Sequence, residues 1–93
     1  MEKCLKISGR VQGVGFRFWA VRKAAEIGGI SGYISNLPDG DVLALIKGNE
    51  EDLNKMLMLF HKGPLFARVD KVSDCPELIS FFPEVESGVF KRF

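Results

Sequence analysis

Between Lys3 and Ser8 the side chains alternate, Leu5 and Ile7 apolar and Lys6 and Ser8 polar, which is the two-residue period of a half-buried strand. Gly9 ends it. Phe16, Ala20, Ala24 and Ile27 recur at helical spacing and predict a helix over 16–27 that stops at Gly28-Gly29. Gly32 to Asn36 reads as extended, and Leu37-Pro38-Asp39-Gly40 turns the chain into an apolar return strand, Asp41 to Lys47. Asn49 then caps a second helix with an acidic first turn, Glu50-Glu51-Asp52, and core positions Leu53, Met56, Leu57 and Phe60. His61 and Lys62 suit the negative end of its dipole, and Gly63-Pro64 closes it. Arg68 to Ser73 makes a further strand. From Pro76 to Phe93 the apolar residues are interrupted by Pro76, Pro83 and Gly88, which predicts an irregular connection and a short edge strand.

Strand, helix, strand, strand, helix, strand is the split βαββαβ pattern of an α+β chain. It resembles the ferredoxin-like α/β sandwich, an antiparallel sheet covered on one face by two helices. Right-handed crossovers put the first strand inside the sheet beside the return strand, so the loop after Gly9 leaves from the middle of the sheet. The first two strands then run parallel, and Asn36 lies at the same end as that loop.

Composition narrows the options. A chain of 93 residues, 46% hydrophobic and 27% charged, is expected to form one globular domain over 1–93 and is too apolar for intrinsic disorder. Thirteen basic against twelve acidic residues give net +1, without the excess that would neutralise a row of phosphates, so no nucleic-acid partner is expected. No run is long enough to span a membrane, and Met1-Glu2-Lys3-Cys4-Leu5-Lys6 is no secretion signal; a cytoplasmic monomer without membrane partners is expected. Cys4 and Cys75 are spaced unlike zinc ligands and read as small buried hydrophobes, with a disulfide not expected in a reducing compartment.

The chemistry concentrates in Gly9-Arg10-Val11-Gln12-Gly13-Val14-Gly15-Phe16-Arg17, a glycine-rich loop between a strand and a helix start. Glycines bring amides together, and a helix N-terminus leaves N–H groups unpaired, so the segment can form an anion cradle. Arg17 adds a planar fork of donors that fits phosphate oxygens. The plainer reading is a tight turn followed by a solvated arginine. Neither a P-loop nor a dinucleotide fingerprint fits, because Gly-Lys-Ser/Thr is absent and Phe18 stands where the last fingerprint glycine would be. Cys4 and Arg10 have the Cys-x5-Arg spacing of thiol phosphatases, but an extended chain would hold them roughly 20 Å apart. Asn36, before Pro38-Asp39-Gly40, is either a turn former or an uncharged amide able to hold a water beside the cradle.

The blocks Gly9 to Arg17 and Gly32 to Gly40 together resemble acylphosphatases, and Gly63-Pro64-Leu65-Phe66-Ala67-Arg68-Val69-Asp70-Lys71-Val72 resembles that family's approach to its fourth strand. The resemblance implies hydrolysis of carboxyl phosphates to a carboxylate and inorganic phosphate, with no metal and no cofactor. It matches Arg17 to the family's phosphate-binding arginine, Asn36 to the asparagine that positions the attacking water, and Gln12, Gly13, Val14, Gly15 and Phe16 to the phosphate loop. The implied partners are a small-molecule acyl phosphate and the phosphate product. Tyr33 departs from a common tryptophan and Ser35 from a frequent arginine.

Such sparse equipment suits the reaction, because the leaving carboxylate has a conjugate acid of pKa about 4 and needs no proton donor. His61, the only histidine, is explained by its helix end. Glu50, Glu51 and Asp52 fit the positive end of their helix better than a cation cage. Two alternatives compete: a non-catalytic anion-binding regulatory module on the same fold, which would keep Arg17 without needing Asn36, and an RNA-binding sheet with exposed aromatics.

Overall fold

The apolar alternation of the first strand decides which way the sheet faces. In the computed structural model, which describes residues 1–93, β1 (Glu2–Arg10) buries Leu5 and Ile7 on one face and Cys4 on the other. After it come α1 (Phe16–Ile27), β2 (Ser31–Asn36), β3 (Val42–Lys47), α2 (Glu50–Lys62) and β4 (Arg68–Asp74). A short 3-10 segment, Pro76–Phe81, leads to β5 (Phe90–Arg92). The strands lie in the order β4-β1-β3-β2-β5, so the first strand is interior and beside the return strand, as the crossover rule requires.

The first four strands pair antiparallel. β5 adds to β2 in parallel, Gly32 opposite Phe90 and Ile34 opposite Arg92, which makes the sheet mixed where the sequence reading had it antiparallel throughout. A strand reached by a long connection from β4, at the far edge, is free to run in either direction. Backbone bonds from Gly32 N–H to Val89 O (2.8 Å) and from Phe93 N–H to Ile34 O (2.9 Å) fix it.

Both helices pack on the face that carries Leu5, Ile7, Ile34, Ala44 and Ile46, and Phe16, Ala20 and Ala24 of α1 meet Leu53, Met56 and Phe60 of α2 there. The second face is covered as well, by the tail. Tyr33, 6% exposed, stacks on Phe82 at 5.6 Å and donates its hydroxyl to Glu84 O at 3.0 Å, while Ser31 Oγ accepts from Gly88 N–H at 2.7 Å. The β2 side chains that point away from the helices therefore anchor the segment that delivers β5. No helix is long and apolar enough to cross a membrane.

Candidate active site

The two helices begin differently. At α2, Asn49 caps the first turn by accepting from Asp52 N–H at 2.8 Å, and Glu50, Glu51 and Asp52 offset the positive end of the dipole. At α1 the preceding residue is Gly15, with no capping side chain and no acid in the first turn. Gly13 and Gly15 both hold left-handed conformations, φ 74° and 77°, which a side chain would strain. The N–H groups of Gly15, Phe16, Arg17 and Phe18 precede the first residue able to bond within the helix.

Those four residues line a hollow of about 140 Å³ together with Val11, Gln12, Gly13, Asn36 and Arg92. Larger hollows occur elsewhere, but none joins a glycine loop, an uncapped helix start and two guanidinium groups. Strand register explains how Asn36 arrives. Ile7 and Asn36 both pair with Val42 from opposite sides, so β1 runs three residues past the end of β2, to Arg10, and the loop that follows it lies beside that end, where Gln12 meets Leu37. Asn36 shares the helix-bearing face with Ile34, two residues earlier.

Side chains in the loop divide their tasks. Gln12 Nε2 donates to Leu37 O and to Asp41 O, at 2.8 and 2.9 Å, which ties the loop to the turn after Asn36. Its side-chain nitrogen is thus occupied, leaving its backbone amide as the donor for a ligand. Phe16, 2% exposed, stacks on Phe60 at 6.1 Å, and its ring belongs to the core. Val14 is packed partly against that core and does not line the hollow, which leaves only its backbone amide for the loop contact expected of it. The turn itself is held by Lys6, whose ammonium lies 2.8 Å from Asp39 and 3.4 Å from Asp41, and by Ser8 Oγ donating to Asp41 at 2.9 Å.

Arg17 and Arg92 make no ion pair and no side-chain hydrogen bond within the chain. No carboxylate, imidazole or thiol lines the hollow with them. The arrangement is a positive concavity with free amide donors and one neutral carboxamide, chemically suited to hold a phosphoryl group and a water. Arg92 escaped the sequence reading. Its only local signal is its place two residues after Phe90, in a strand too short to show a period.

His61 is exposed in the last turn of α2 and takes no part in the hollow. Cys4 is buried on the sheet face away from the helices, and burial pushes its thiol up to about 11, the opposite of an activated thiolate. Cys75 is also free and buried, and its N–H donates to Cys4 O at 2.7 Å. No cluster of three or more His, Cys, Asp or Glu side chains forms a cation site.

The family model described as Acylphosphatase matches residues 3–78. An acylphosphatase of Nitrobacter winogradskyi is 47% identical over 82 residues, covering 88% of this chain and 82% of that protein. An acylphosphatase of Mycobacterium sp. (strain KMS) is 44% identical over 82 residues, covering 84% of this chain and 86% of that protein. Among solved structures, acylphosphatase from Bacillus subtilis superposes with a TM-score of 0.81 at 26% identity, over 99% of this chain and 97% of that one.

Proposed function

The chain belongs to the acylphosphatase family and is an acylphosphatase, a hydrolase acting on acid anhydrides, and from that premise we propose that Arg17, the amides of the 12–16 loop and Asn36 divide its chemistry. The substrate class that the family implies is a small-molecule acyl phosphate. Arg17 and the unpaired amides hold the phosphoryl oxygens and neutralise their charge. Asn36 aims a water at phosphorus, in line with the acyl oxygen. As the water oxygen bonds to phosphorus, the bond from phosphorus to the acyl oxygen breaks and its electron pair leaves with the carboxylate. The water's proton passes to a phosphoryl oxygen, because a neutral carboxamide is a poor base. Residues 1–93 act in this reading as one domain, a monomer in the cytoplasm with no metal or cofactor.

One observation carries the proposal: a guanidinium and a carboxamide from separate segments line one hollow that has no carboxylate in it. A non-catalytic anion-binding module would account for Arg17 and the loop but gives no reason for Asn36 to share the hollow. The test is hydrolysis of benzoyl phosphate and of 2-glycerophosphate in the presence of EDTA. Rapid turnover of the first alone is expected. Equal rates on both, or loss of benzoyl phosphate hydrolysis in EDTA, would contradict the assignment.

A further inference from the structure

The hollow holds more positive charge than a phosphoryl group needs. A phosphate ester carries about −1.5 to −2 near neutrality. Arg17 contributes +1 and the uncapped start of α1 about +0.5, which together come close to balancing it. Arg92 raises the total to about +2.5, and no acidic side chain of the chain pairs with either arginine. Two guanidinium groups around one small hollow repel each other unless anionic charge lies between them, and about +2.5 leaves room for a negative group in addition to the phosphoryl oxygens.

Their directions of approach differ. Arg17 stands in the first turn of α1, next to the loop amides. Arg92 comes from β5 at the edge of the sheet, where it pairs with Ile34. Phe90 is buried on the helix-bearing face, so strand alternation puts Arg92 on that face too, beside Asn36 on the adjoining strand. Lys91 confirms the alternation, its ammonium lying 5.9 Å from the Tyr33 ring on the other face. Phe18, which lines the same hollow, is 59% exposed and lies under the Arg22 guanidinium at 5.8 Å, so it offers a steadied apolar surface beside the arginines.

We propose that Arg92 is a specificity-determining residue that pairs with a second negative group on the acyl portion, so that this enzyme prefers acyl phosphates bearing an extra carboxylate or similar anion. The inference rests on the phosphoryl-binding role of Arg17 proposed above. In a productive complex the phosphoryl group lies against the loop amides, the acyl chain passes Phe18, and its distal anion reaches Arg92.

The test compares 3-carboxybenzoyl and 4-carboxybenzoyl phosphate with 4-methylbenzoyl phosphate, using the parent and Arg92→Gln. Intrinsic reactivity differences among these substrates cancel when the kcat/KM ratio of charged to uncharged substrate is compared between the two proteins. The ratio is expected to fall at least about tenfold in Arg92→Gln for one or both carboxy substrates, to recover in part in Arg92→Lys, and to invert in Arg92→Glu. An unchanged ratio overturns the inference, whether both rates fall together, as they would if Arg92 held the phosphoryl group, or neither does. If the parent hydrolyses none of the aroyl phosphates, the proposed function itself fails, and this inference with it.

Discussion

Gln12 and Leu37 are joined by a hydrogen bond of 2.8 Å from the Gln12 carboxamide to the Leu37 carbonyl, and the same nitrogen reaches the Asp41 carbonyl at 2.9 Å. This amide ties the glycine-rich loop to the turn that follows Asn36, the two segments that the proposed site joins. Gln12→Ala removes that donor from both carbonyls, each of which keeps a backbone N–H partner, and is expected to lower stability by about 0.5–1.5 kcal/mol in urea melts. It should also reduce kcat and weaken inhibition by inorganic phosphate. Gln12→Glu at neutral pH should be worse than Ala, because an ionised carboxylate offers only acceptors to two carbonyl oxygens.

The Arg17 side chain makes no hydrogen bond to the rest of the chain, so replacing it tests ligand binding with little effect on folding. Arg17→Lys substitutes a point charge for a fork of donors. Phosphate affinity and kcat/KM on benzoyl phosphate should drop by about 10- to 100-fold, with the thermal midpoint nearly unchanged.

Sequence alone carried the site as far as its signals are local. Gly13, Gly15 and Arg17 sit within one short stretch, so their shared loop could be read directly, and Asn36 followed once the crossover rule had set β1 and β2 parallel. The helix spans were equally legible, since Phe16, Ala20 and Ala24 mark a single buried stripe. What could not be read depends on pairing between distant segments. Phe90 to Arg92 is too short to show a period, and its parallel alignment with β2 is set by Tyr33 and Ser31 gripping the tail from the second sheet face. The 3-10 segment Pro76–Phe81 likewise has too few residues for a pattern. Arg92 therefore entered the site unseen, and Gln12 proved to be a tether where the loop motif suggested only a ligand contact.

Because no carboxylate, imidazole or thiol lines the hollow, kcat should stay flat between about pH 5 and 9. His61→Ala should leave both rate and profile as they are, measured on benzoyl phosphate with EDTA present. A bell-shaped profile, or one that changes in His61→Ala, would show that a general base had been missed.

Stability should respond to pH where activity does not. Burial raises the Cys4 thiol from 9.0 to about 11, so the unfolded chain ionises first as pH rises. Stability present below pH 9.0 is then lost progressively toward about 11. Lys6 acts in the same sense, its ammonium raised chiefly by the hydrogen bond to Asp39. At the acid end Asp39 is lowered by that same bond, so its contribution disappears as pH falls through its folded value. Urea midpoints across pH 8 to 11 should decline less steeply in Cys4→Ala than in the parent, and parallel curves would contradict the burial argument.

The division of labour between Arg17 and Asn36 is tested most directly by Asn36→Ala, with inorganic phosphate inhibition and benzoyl phosphate turnover measured on the same folded preparation. If Asn36 places the water while Arg17 and the amides hold the anion, the inhibition constant stays within about twofold of the parent and kcat falls by about 100-fold or more. Turnover at the parental rate, or a loss of phosphate binding as large as the loss of kcat, would contradict the account.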